Sequence, residues 1–178
     1  MTMHHVFVPA LSLMMCASTG TRAPAQTAGP ASGEPAIVAR LLGTWRGAGI
    51  VTGRASEMTM TWERAVGGAF LHLRFRNAMA ASATRPAEVF EARGYYRVVA
   101  ASGTTAGTGT WIDSRGLILP VRVTVESDAL TSDWGGSGTE TGRTVYRLTS
   151  ATTLEVVDSV RTATGEYREF GRTTLTRQ

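Results

Sequence analysis

From Thr44 onward, apolar and polar residues alternate with a period of two, and Gly, Asp, Asn or Ser interrupts the alternation about every ten residues. Successive side chains of a strand point to opposite faces, so such a pattern describes short strands that each bury one face. Met58, Met60 and Trp62 share a face, as do Leu71, Leu73 and Phe75; Phe90 to Val98, Leu117 to Val125 and Leu154 to Val160 continue the rhythm. Turns are expected at Thr52-Gly53-Arg54, Val66-Gly67-Gly68, Asp113 to Gly116, Trp134-Gly135-Gly136 and Thr164-Gly165. Strands joined in sequence by hairpins predict an all-β fold, an antiparallel up-and-down β-barrel of about eight to ten strands. Two glycine pairs sharpen this. Gly47 and Gly49, near Trp45, and Gly107 and Gly109, near Trp111, lie on the same strand faces as those indoles. The missing side chains leave room for the indole or for a sharply coiled backbone.

Composition removes several chemistries. A single cysteine, Cys16, excludes a disulfide framework and a zinc or iron–sulfur ligand set, and no metal site is expected. All 18 basic residues are arginine, so Schiff bases, phosphate-binding lysines and Ser-Lys pairs are excluded. The formal charge is +4, yet the arginines are scattered in no basic run, which argues against nucleic acid as a partner.

The first 25 residues are expected to be an export signal. Residues 6–17 form an apolar stretch too short to span a bilayer, followed by a small-residue cleavage site at Ala23-Pro24-Ala25. The segment before it has no Lys or Arg, only His4, His5 and the α-amino group. Lipid attachment at Cys16 is the weaker alternative, since Met15 is bulky for such a site. Residues 26–36 read as a flexible linker, and 37–178 as the barrel domain. A short helix is expected between Pro35 and Gly43, before the first strand. The expected location is periplasmic or secreted, with no stable transmembrane segment in the mature chain.

Leu42-Gly43-Thr44-Trp45-Arg46-Gly47 opens the first strand after that helix and resembles the Gly-x-Trp signature of the calycin superfamily, which includes lipocalins and fatty-acid-binding proteins. With Gly67 to Leu71, Gly94-Tyr95-Tyr96, Gly109 to Ser114 and Arg172 to Arg177, the chain resembles a bacterial, often exported, lipocalin-like family of unknown function over nearly all of its mature length. The resemblance implies a closed barrel whose interior holds a small apolar molecule. It also implies that Trp45 closes one end beneath an arginine of the last strand, Arg177 or Arg172. A haem-binding branch of such barrels uses a histidine near the C-terminus; this chain has none there, and no cofactor is expected.

The interior parity nominates the binding residues. Met60, Trp62, Tyr96, Trp111, Trp134 and Tyr146, with Met58, would line a cavity or fill the core; volume decides, and a sequence does not supply it. Asp158 shares parity with Leu154, Val156 and Val160, so it is expected inside, where an unpaired carboxylate is costly. A three-residue loop at 163–165 with Gly165 left-handed would set Asp158 opposite Phe170, diagonal to Arg168 and Arg172. An internal Asp158–Arg172 pair is therefore expected, with a spare guanidinium donor for a ligand carboxylate. His72 alternates with Arg74 and Arg76 and is expected to face solvent. Together these features describe an exported, non-catalytic binding protein for a small, mostly apolar ligand such as a lipid or fatty acid. Two readings stay open beside it: an enzyme using Asp158 or Glu169 as acid or base, and a partner-binding barrel with a filled core.

Overall fold

The computed structural model describes residues 34–101 and 104–178; the signal segment expected at 1–25 and the linker up to residue 33 lie outside the described residues. Helix α1 (Ala36–Leu41) leads into ten strands: β1 (Gly43–Val51), β2 (Arg54–Ala65), β3 (Phe70–Met79), β4 (Glu88–Ala101), β5 (Thr104–Asp113), β6 (Ile118–Val125), β7 (Ala129–Trp134), β8 (Gly142–Leu148), β9 (Thr153–Arg161) and β10 (Tyr167–Arg177). Each strand pairs antiparallel with the next, and β1 pairs with β10. The sheet thus has no free edge, and the expected up-and-down barrel with a short leading helix is the fold. Among the described residues no helix is long and apolar enough to cross a membrane. Before the first strand, Glu34 forms a bidentate pair with Arg64, at 2.7 Å through Arg64 Nη1, and α1 starts at Ala36.

Closure requires strongly coiled strands, and glycine supplies the coiling. A Cβ at Gly47 would lie 2.0 Å from the Thr174 carbonyl oxygen, and one at Gly49 would lie 2.1 Å from that of Arg172. The backbones of β1 and β10 therefore meet where side chains would otherwise hold them apart. Gly107 and Gly109 allow the same approach to the β4 carbonyls of Arg97 and Tyr95. Of the two roles expected for these glycines, the coiled backbone is the one observed.

The end of the barrel beside α1 is shut. Ile37, Val38 and Leu41 of the helix are fully buried and join a cluster with Trp45, Met60, Leu148, Leu154 and Leu175. Trp45 donates its indole N–H to the Leu41 carbonyl at 2.8 Å, and the Arg177 guanidinium stacks over its ring at 4.2 Å. Arg177 also donates to the Leu42 carbonyl at 2.5 Å and to that of Arg40. The arginine of the last strand that covers the signature tryptophan is thus Arg177, a planar cation that can stack and donate at once.

His72 corrects an expectation. Parity does set it on the outer face, but it is only 8% exposed, because its ring stacks on Tyr95 at 4.4 Å and its Nδ1 bonds the Glu63 carboxylate at 2.9 Å. Cross-strand neighbours on β2 and β4 flank it and keep it from solvent.

Candidate functional site

The five connections β1–β2, β3–β4, β5–β6, β7–β8 and β9–β10 gather at the end opposite α1, and there the interior opens into a cavity of about 480 Å³. A space of this size accepts a small organic molecule. Its walls are apolar and aromatic: Phe75, Phe90, Trp111, Leu119, Trp134 and Phe170. Phe75, Phe90 and Trp111 pack on one another with centroids 5.6 to 6.5 Å apart, which fixes one wall. Thr144, Tyr146 and Asp158 bring polar groups into it from β8 and β9.

Asp158 is the chemical centre of this space. The Thr144 hydroxyl donates to its Oδ1 at 2.6 Å and itself accepts the Trp134 indole N–H at 3.2 Å. Burial deep in the barrel pushes the carboxyl up to about 6; the Thr144 bond opposes this and the nearby Glu169 charge adds to it. Burial likewise holds the hydroxyls of Tyr146 and Tyr96 well above the usual tyrosine range, so both are neutral.

The predicted site residues divide into three groups. Trp111, Trp134, Tyr146 and Asp158 line the cavity as expected. Met60, Trp62 and Tyr96 do not: they are 0 to 1% exposed and form the packed layer beneath it, where Trp62 meets Tyr146 edge-on at 5.1 Å and Tyr96 at 5.6 Å. Met58 is buried in the same core. Arg172 is on the outside. It donates to Glu155 at 2.6 Å and to Glu169 at 2.7 and 3.0 Å, so the internal Asp158–Arg172 pair does not exist. The cause is a bulge. The predicted 163–165 loop forms, with Gly165 at φ +88° and Thr162 N–H bonded to the Glu166 carbonyl, and the pairing keeps its expected register as far as Glu169–Ser159. The register then slips by one at Phe170, so Asp158 faces Gly171 and Arg172 turns outward.

Other residues of the site escaped the sequence. Arg54, expected in a turn, opens β2 facing inward and is 5% exposed; it donates to the carbonyls of Met79, Ala80 and Pro86 and to Glu88. Parity with Ser56, Met58 and Met60 was the available signal. Arg115 is held by Asp113 at 2.7 Å and Glu140 at 2.6 Å and lies over Phe90 at 5.4 Å. Burial alone would raise the Asp113 carboxyl, but bonds from Arg115 and the Leu117 amide outweigh it and hold the group below its ordinary value. With Arg85 and Arg168, four guanidinium groups stand around the opening against Glu88, Glu140 and the Asp113 that holds Arg115, an excess of one positive charge. Among the described residues no group of three metal-ligating side chains exists.

The ten-stranded meander, closed at one end under a Trp–Arg stack and hollow at the other, is a closed antiparallel barrel of lipocalin-like fold. Solved structures of similar fold include two at low sequence identity. Rv2717c from M. tuberculosis superposes with a TM-score of 0.56 at 17% identity, covering 80% of this chain and 95% of that one. The S-type phycobiliprotein lyase CPES from Guillardia theta gives a TM-score of 0.52 at 8% identity, covering 80% and 90%. At these identities the likeness is one of fold. No family profile and no curated protein matches the sequence.

Proposed function

We propose that this protein is an exported, non-catalytic carrier that holds a small, mostly apolar molecule in the cavity of its barrel. The supporting observation is the shape of the interior: about 480 Å³ of space with aromatic walls, open at one end and floored by packed side chains. Apolar surface desolvated there supplies the affinity, on the order of 25 cal/mol per Å² before the costs of association. A carboxylate on the ligand stays at the entrance beside the arginines, not inside, because Arg172 is external and Asp158 is an internal anion. Titration with 1-anilinonaphthalene-8-sulfonate tests the cavity. Val160→Trp, at a wall position, should weaken the dye at least about tenfold while leaving the circular dichroism unchanged. Unaltered dye affinity in that variant would remove the cavity from consideration. Export is supported by residues 6–17 and the Ala23–Ala25 site, and is tested by the mass of the protein recovered outside the cytoplasm, which should begin at Gln26.

A second reading has one observation in its favour. Asp158, with its carboxyl pushed up to about 6 inside a cavity, has the character of a general acid or base. CPES, one of the fold neighbours, is a lyase. Turnover of any substrate that Asp158→Asn abolishes, with the fold retained, would establish catalysis in place of carriage.

A further inference from the structure

The polar groups at the two ends of the cavity have opposite needs. On the inside, Asp158 Oδ1 takes the Thr144 hydroxyl, and the direction of the bond is fixed because the Trp134 indole can only donate to that hydroxyl. Oδ2 has no hydrogen-bond partner among the described residues. Across from it stands Gly171, where a Cβ would lie 3.3 Å from Oδ2 and 3.3 Å from Val51 Cγ2, so a methyl there would crowd this oxygen. The bulge at Phe170 has taken the Arg172 guanidinium to the outer face, and Arg168, which lines the same cavity, makes no ion pair with Asp158 among the described residues. Asp158 is half-buried and lines the cavity with a single protein donor on its carboxylate, so a ligand group that supplies another is favoured. At the entrance, Arg85 and Arg168 line the cavity, and their side chains make no ion pair or hydrogen bond among the described residues. They are free to take an anion, whereas Arg54 and Arg115 are already held by carboxylates and carbonyls.

We infer that the cavity selects an amphiphile that is polar at both ends: a hydrogen-bond donor, hydroxyl or ammonium, enters first and reaches Asp158 Oδ2, and an anionic group remains beside Arg85 and Arg168. The inference rests on the cavity being a binding site. A fatty acid inserted carboxylate-first is rejected, since it would set a second anion beside Asp158, which no guanidinium pairs among the described residues.

Four probes of one chain length, decanoate, 10-hydroxydecanoate, 10-aminodecanoate and 1-decanol, competed against 1-anilinonaphthalene-8-sulfonate on the full chain at pH 7.5, test it. The hydroxy and amino acids should bind at least about tenfold more tightly than decanoate, the gain expected of a bond to a charged acceptor. Asp158→Asn should abolish the amino preference and reduce the hydroxyl preference to about threefold or less. Gly171→Ala, which places a methyl against Oδ2, should have the same effect if the Asn variant does not fold. Replacing both Arg85 and Arg168 by Ala should weaken decanoate and leave 1-decanol unchanged. Equal binding of decanoate and its ω-substituted forms, or a preference that survives both Asp158→Asn and Gly171→Ala, overturns the inference while the cavity remains a binding site. Failure of every probe and of the dye to bind overturns both.

Discussion

The two ends of the barrel are made from the same strands with the same alternation, yet one is solid and the other hollow. At the α1 end, Trp62 is enclosed by Tyr96 and Tyr146, with Met58, Met60 and Leu73 buried in the same cluster. At the loop end, Trp111 and Trp134 stand against open space, and smaller or polar residues such as Thr144, Asp158 and Val160 leave it unfilled. The closed end is also capped by α1, whose Leu41 carbonyl takes the Trp45 indole N–H, while the open end is rimmed by arginines. Packing is thus concentrated at one pole and open space at the other, an arrangement that lets the residues around the cavity vary without loss of the fold.

Substitutions can break this division. Trp62→Ala should cost about 3–5 kcal/mol in denaturant unfolding, the usual toll of emptying a packed aromatic site, whereas Trp111→Ala should cost less than about 2 kcal/mol and chiefly alter ligand binding. Similar losses at both positions would mean that the open end is as load-carrying as the closed one. Gly47→Ala should cost about 1–3 kcal/mol, since its methyl collides with the Thr174 carbonyl and forces the seam apart.

Asp158 gives the pH-dependent case. Its carboxyl is raised in the folded state, so the stability linked to its protonated form is fully present below its ordinary value near 4 and is lost as the pH rises through about 6. Asp158→Asn should therefore stabilise the empty protein by roughly 1–3 kcal/mol at pH 7.5, with the gain vanishing near pH 4. Thermal melts at the two pH values measure it, and a destabilised Asn variant at pH 7.5 would show that the carboxylate has a cationic partner after all. Arg172→Ala should be the mildest change, at most about 1 kcal/mol with dye affinity unaltered, because its ion pairs with Glu155 and Glu169 are on the surface.

What the sequence disclosed follows the range of each interaction. The alternation, the hairpin glycines and the Trp45 signature are local, and they lead to the barrel, the 163–165 loop and the inward parity of Asp158. Pairing across strands is less legible. The only residue signal of the bulge at Phe170 is the adjacent Gly171 within the strand, yet that single slipped position sends Arg172 outside and removes the partner assigned to Asp158. Arg54 was readable by parity with Met58, but the adjacent Thr52-Gly53 turn concealed it. The contrast between Trp62 and Trp111 was not readable, because both are inward tryptophans and only the volume of what surrounds them differs.

The latch between the first and last strands has a kinetic consequence. Arg177 reaches the Leu42 carbonyl across 135 residues of sequence, so the contact that shuts the barrel is also among the longest-range contacts the chain makes. The entropy of bringing such distant segments together must be met before the stack on Trp45 can offset it, which makes ring completion a late and slow event in self-assembly. Until then the outer edges of β1 and β10 are unpaired. A chain deprived of β10 would keep β9 and β1 available to one another's copies and is expected to aggregate by edge pairing.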